Sequence, residues 1–272
     1  MTAQLRTTIF RLVRKKSSWI LLFLPMVWGC FMLLSNYWSE HLFFETDMLT
    51  KTDPREFLMH GILISAVFIY LLIDRERGDG GWRNKITVGV KRHWIFLSSW
   101  IISVVFAVIA SSLEILAVKI VIKLMGKEGE KLFENLDTKN LILIVLWTAA
   151  FASLFVLIDT YFSIKIFSLL LTLCMFFAFM GIGSTCRSRL DIPYKEELLN
   201  EETGEFEWYE NPHYVSGNAR KALTFIAERT PEDAFYGKVN KHVYKIHRET
   251  TVVLFLAGAA IGIPAFKRKE IF

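Results

Sequence analysis

The sequence predicts an all-α polytopic membrane protein, with six transmembrane helices, an amphipathic helix ahead of them at the interface, and a helical segment outside the membrane before the last span. Three observations carry this. Six apolar runs, 19–38, 57–73, 94–122, 141–158, 166–183 and 250–266, are each about long enough to cross a ~30 Å hydrocarbon core as a helix. The segments between them alternate in charge. The chain also opens on a basic, periodic stretch that precedes the first run.

Composition fits that class. Of 272 residues, 53% are hydrophobic, yet the mean hydropathy is +0.36, because six spans of about 20 residues use under half the chain. The net charge of +5 is not pooled in one domain; the basic residues sit at membrane edges, a topology signal that speaks against a nucleic-acid partner. Cys30, Cys174 and Cys186 are too few and too dispersed for a disulfide framework or a zinc site.

In chain order, Leu5, Ile9, Leu12 and Val13 share one helical face, with Arg6, Arg11, Arg14 and Lys15 largely elsewhere. This reads as a helix over 1–18 lying on an anionic inner surface; a disordered basic tail is the alternative. The first run is too long for a cleaved leader and has no small-residue cleavage site. Trp19 and Trp38 bracket it, and Trp94 opens the third run, at headgroup levels favoured by indoles. The loop after the first span carries Glu40, Glu45, Asp47, Asp53 and Glu56 against Lys51 and Arg55. The next is basic, with Arg75, Arg77, Arg83, Lys85, Lys91 and Arg92, and the chain closes on Lys267, Arg268 and Lys269. The positive-inside rule then places both termini in the cytoplasm of a bacterial plasma membrane, with an even span count.

Within the spans, Glu114 and Lys119 fall late in the third, where snorkelling to the outer interface accounts for them and a proton or substrate role is the alternative. Asp159 and Lys165 are expected to stay wet in a short inner turn. Gly258 and Gly262 form a G-x-x-x-G, read as intrachain packing or a dimer face, and Gly181 and Gly183 end the fifth run. Phe167, Phe176, Phe177 and Phe179 line either an apolar path or a lipid-facing side.

Two regions lie outside the membrane. In 74–93, Gly78, Gly80 and Gly81 break the second helix, and Trp82, Ile86 and Val90 fall at i, i+4 and i+8 on a short helix flanked by Arg83, Lys85 and Lys91. That shape suits docking of a soluble partner; an interfacial turn against lipid headgroups is equally compatible. The second region, 184–249, is too long for a simple connection. Its acidic part, EELLNEETGEFEWYE, precedes a helix capped by Ser216 or Asn218, with Leu223, Ile226 and Ala227 on one side and Pro231 as its stop. A packed cap over an outer cavity is expected there.

Together the six spans, the basic N-terminal helix, the RERGDGGWRNKITVGVKRH segment and the NPHYVSGNARKALTFIAERTP segment resemble the type-2 ABC transporter permease family. Within it the chain is most similar to small Gram-positive peptide exporter and immunity permeases, such as the phenol-soluble modulin exporter. The resemblance implies the membrane subunit of an ATP-driven exporter of an amphipathic or hydrophobic substrate, a peptide favoured, as one transmembrane domain over 1–272. It implies coupling to a cytoplasmic ATPase through Glu76, Gly81, Trp82, Arg83, Asn84, Lys85 and Ile86, and an outer helical segment that includes Asn211, Pro212 and Tyr214. It also implies a second permease copy, identical or paralogous. The acidic stretch before Asn211 departs from the family's pattern.

Catalysis is not expected in this chain. The G-x-x-x-x-G-K-[ST] phosphate loop is missing, so ATP and magnesium belong to the partner ATPase. Val215-Ser216-Gly217-Asn218 only faintly echoes an ABC signature. The histidines are scattered, with His242 and His247 five apart, and H-E-x-x-H does not occur. A His60–Ser65 hydrolase pairing within one span is weak. The competing reading from another class is a membrane scaffold or sensor that recruits a cytoplasmic partner without transport.

Overall fold

The structure, a computed structural model, describes residues 2–43, 53–78, 80–127, 137–162, 164–199, 206–235 and 239–268. Among the described residues, six helices are long and apolar enough to cross a membrane. The helix α1 (Thr2–Val13) precedes the first of these, α2 (Lys16–Phe43). Then come α3 (Pro54–Gly78), the short α4 (Gly81–Thr87) and α5 (Arg92–Met125). The bundle continues with α6 (Thr138–Tyr161) and α7 (Lys165–Leu190). A hairpin of β1 (Lys195–Leu199) and β2 (Phe206–Glu210), then α8 (Gly217–Ala227) and α9 (Pro231–Ala234), lead to the last span, α10 (Lys241–Arg268).

The fourth span, α6, is the axis of the bundle and packs against α10, α3, α5 and α7. Its apolar residues run all round the helix, as they must when no face meets water or headgroups. Trp147, Phe151 and Phe155 are fully buried, and Phe151 meets Phe176 and Phe179 of α7 edge to face at 5.4 and 5.7 Å. Lipid is as apolar as these side chains, so close packing and buried hydrogen bonds hold such helices together. Gly258 and Gly262 show how. A methyl on Gly258 would strike Ser153 of α6, and one on Gly262 would strike the Phe96 ring of α5. The G-x-x-x-G face is therefore spent within the chain. Beside it Trp100 Nε1 donates to Ser153 Oγ at 2.7 Å, and that hydroxyl donates to the Phe255 carbonyl at 2.8 Å.

The helix α1 and the end of α10 lie at one end of the bundle, called proximal below: α1 reaches Glu76 on α3, and Phe266 near the end of α10 meets Trp82 of α4. The hairpin, α8 and α9 occupy the distal end. Several local expectations change. The stretch EELLNEETGEFEWYE forms an antiparallel hairpin, Lys195 facing Glu210 and Leu199 facing Phe206; it is too short for a strong alternation signal. Ser216 stands at the N-cap of α8, but its side chain makes no capping hydrogen bond. Ala227 is buried while Ile226 is exposed. Pro231 does not stop α8; it opens α9, where its fixed φ suits a first turn. The fifth span runs on past Gly183, which packs against Thr230, to Leu190.

Candidate functional site

At the proximal end α3 leaves the bundle and the chain turns through Gly80, whose φ of +66° favours glycine. The turn sends α4 back toward the bundle, where Glu76 anchors it. One Glu76 carboxylate oxygen accepts from Lys85 Nζ at 2.6 Å and Thr8 Oγ1 at 3.4 Å, and the other from Trp82 Nε1 at 3.2 Å. The Trp82 ring is buried against Phe266, edge to face at 5.0 Å. Arg77 crosses above it, its guanidinium 5.1 Å from the indole centroid, and donates to the carbonyls of Asp159 and Phe162 at the end of α6. One arginine thus ties the α3–α4 corner to the end of the central helix.

These contacts divide the segment implicated by the family resemblance into two faces. Glu76, Trp82 and Lys85 point into the bundle, Ile86 is half-buried, and Gly81 sits so close to the Glu76 carbonyl that a Cβ would lie 2.8 Å from it. Arg83, Asn84 and Thr87 point outward, and Val88 just beyond is 79% exposed. The i, i+4, i+8 stripe is cut short: α4 ends at Thr87, and Val90 is reached through Gly89 at φ +84°. Gly89 N–H bonds the Ile86 carbonyl and Val90 N–H the Lys85 carbonyl, both at 2.9 Å, the paired bonds of a Schellman stop.

A second polar centre lies deeper. Trp28 Nε1 donates to His60 Nε2 at 2.9 Å, which leaves the other ring nitrogen, Nδ1, as donor to Glu114 Oε1 at 3.1 Å. The three residues come from α2, α3 and α5. Glu114 is buried, so the expected snorkelling to an interface is corrected; a partner on a neighbouring helix satisfies the carboxylate instead. Lys119 is exposed. Ser65 donates to the Gly61 carbonyl at 2.6 Å, one turn back on its own helix, so it does not pair with His60. Asp159, expected to be wet, is buried at the proximal end of α6 beside Arg77; the Lys165 side chain is outside what the structure describes. Among the described residues no three metal-ligating side chains gather.

At the distal end Arg55 pairs with Glu232 and Arg187 with Asp233 at 3.1 Å, clamping α9 between α3 and α7. Asn211 donates to Glu196 at 2.9 Å and accepts the His213 N–H at 2.9 Å, closing the hairpin. Tyr214 stacks edge to face with Tyr194 at 5.3 Å and lies under Arg220, while Pro212 is exposed. Tyr194 donates to Glu210, a bond that holds its phenol above the usual tyrosine pKa. The four phenylalanines of the fifth span divide: Phe176 and Phe179 pack on α6, and Phe167 and Phe177 are exposed. Sequence reasoning missed Arg77, Thr8, Trp28 and Phe266. All four act through partners distant in the chain, and only their residue types hinted at a role.

A basic surface helix, a short anchored helix after the second span, and a central fourth span are now in place. A family model described as "ABC-2 family transporter protein" matches residues 5–181. The chain belongs to the ABC-2 transporter family. It is therefore a multi-pass membrane permease, of a family that normally works with a cytoplasmic ATPase. The matched region takes in α1 through most of α7, and so includes α4 with its Glu76 anchor and the Trp28–His60–Glu114 chain. No curated protein and no solved structure matches.

Proposed function

We propose that this ABC-2 permease exports an amphipathic or hydrophobic substrate, a peptide favoured, and that α4 is the element that seats on its ATPase. The observation that carries the reading is the two-faced anchoring of α4. Its inner face is tied to α3, α10 and, through Arg77, to α6, while Arg83, Asn84, Thr87 and Val88 stand outward. A helix held this way transmits force; one that floats on headgroups does not. The basic loops favour the proximal end as the cytoplasmic one, with both termini there.

In this mechanism ATP and magnesium bind the partner ATPases. Their closure displaces α4, and the corner carries that displacement to α6, the helix that packs against α3, α5, α7 and α10. Two permease copies then alternate the side to which the cavity between them opens. Exposed apolar side chains on α2 and α7, Trp28, Phe31, Phe167, Leu170 and Phe177 among them, support an apolar path between copies.

Co-purification in mild detergent with the ABC ATPase of a neighbouring gene tests the reading. Arg83→Glu/Asn84→Ala is expected to lose the ATPase with little change in thermal stability. Trp82→Ala is expected to lower stability by about 3–5 kcal/mol, as large-to-small core changes do. If the double variant keeps its ATPase, the outer face of α4 is not the contact. If the natural chain binds no ATPase, a membrane scaffold or sensor replaces the exporter. ATP-dependent uptake of a fluorescent amphipathic peptide by inverted vesicles tests direction and substrate.

A further inference from the structure

Between α1 and the proximal ends of α2 and α3 lies a cavity of about 60 Å³. Arg11 of α1, Lys15 between α1 and α2, Ser17 and Ser18 in the first turn of α2, and Arg75 of α3 line it. Glu76 is the acid in its lining, and that carboxylate already serves Lys85, Trp82 and Thr8. The lining of the recess thus holds three cations, Arg11, Lys15 and Arg75, and the hydroxyls of Thr8, Ser17 and Ser18. A second cavity, of about 200 Å³, continues from it under α1. Leu12, Ser18 and Phe68 line both. In the second, every lining side chain except Ser18 is apolar, with Ile9, Trp19, Val105 and Ile109 along its length.

Depth decides what fits. Positions 101–109 of α5 stand about 14–26 Å from the helix start at Arg92, well within a ~30 Å hydrocarbon core. The basic recess sits where α2 begins and α3 ends, at headgroup level. An occupant of both must be anionic at the interface and apolar below it. A soluble anion fills the first and leaves the second empty; an apolar peptide does the reverse.

We propose that these joined cavities are a binding site for a single anionic phospholipid, its phosphate between Arg11, Lys15 and Arg75 and one acyl chain in the groove under α1. The site is separate from transport chemistry and does not rest on the exporter reading. It does reach the anchor of α4, since Glu76 and Gly81 border the recess.

Native mass spectrometry of the full chain in detergent tests this, with dioleoylphosphatidylglycerol, dioleoylphosphatidylcholine and inorganic phosphate as probes. Arg11→Gln/Lys15→Gln is compared with Arg6→Gln/Arg14→Gln, which removes two exposed charges from the same N-terminal segment but outside the recess. The first pair is expected to weaken phosphatidylglycerol binding roughly 30-fold, given the worth of a basic residue near an anionic headgroup. The second pair is expected to leave it nearly unchanged. Val105→Trp, at an exposed position, is expected to fill the groove and displace the lipid without altering thermal unfolding. Equal losses in the two pairs overturn the discrete site in favour of diffuse attraction. Competition by inorganic phosphate at matched concentration, or no effect of Val105→Trp, overturns the lipid as occupant. Equal affinity for phosphatidylcholine overturns the anionic headgroup.

Discussion

Glu76 takes three donors from two other helices, Thr8 of α1 and Trp82 and Lys85 of α4, and removing its carboxylate tests the proximal corner. Glu76→Ala strands the Trp82 N–H and the Lys85 ammonium; Lys85 is half-buried and can turn toward water, so the expected loss is about 2–3 kcal/mol, below that of a fully buried pair. Thermal unfolding in detergent measures it, and faster proteolysis within α4 locates it. Glu114 is a gentler case. Interhelical hydrogen bonds in lipid average about 0.6 kcal/mol, because the separated helices find other partners. Glu114→Gln is thus expected to unfold within ~1 kcal/mol of the natural chain, and a loss above ~3 kcal/mol would show that charge, not the hydrogen bond, holds α3 to α5. At this scale the sequence was only partly legible. The acid at 114 was visible as an ionisable group within a span, but its partner lies 54 positions away, so depth alone suggested an interface. Asp159 misled in the same way, since Arg77, which lies beside it, belongs to a different helix, 82 positions away.

Elements read better than residues, because a span is declared by its own composition. All six apolar runs are helices, extended at their ends by several residues: the third run, 94–122, becomes Arg92–Met125. Short elements needed information that composition does not carry. Proline stops one helix and starts another with the same chemistry, and at Pro231 the structure uses the start. The stripe through Val90 failed because Gly89 terminates α4. Gly89→Ala is expected to cost about 1 kcal/mol, with the loss seen as fraying of α4 in hydrogen exchange, and Gly89→Asn less. Gly262→Ala presses on Phe96 and is expected to cost about 1–3 kcal/mol by overpacking, measured by thermal unfolding. In the distal hairpin, Tyr194 donates to Glu210 and its pKa is raised, so the bond is intact at neutral pH and is lost as rising pH ionises the phenol. A spectroscopic alkaline titration should show one late-ionising tyrosine that disappears in Tyr194→Phe.

For the whole molecule, α1, α4 and the end of α10 meet at one end of the bundle, and the topology we propose puts both termini on one face of the membrane. Single cysteines at Arg83 and Arg268, in a background without the natural three, should therefore react alike with an impermeant maleimide, and one at Tyr209 should react from the opposite side. Equal reactivity at all three from one side would overturn the six-span arrangement. The even count was readable from alternating loop charge, whereas the central position of α6 was not, because its apolar surface is no greater in kind than that of its neighbours.

The chain that links Trp28, His60 and Glu114 also bears on how the protein is made. All three residues are synthesised before α6, the axis of the finished bundle, leaves the ribosome. The first three spans can therefore pair their buried carboxylate and imidazole with each other during insertion, without waiting for a core that does not yet exist. Translation order and packing order differ here, and the early helices carry their own polar satisfaction across the interval.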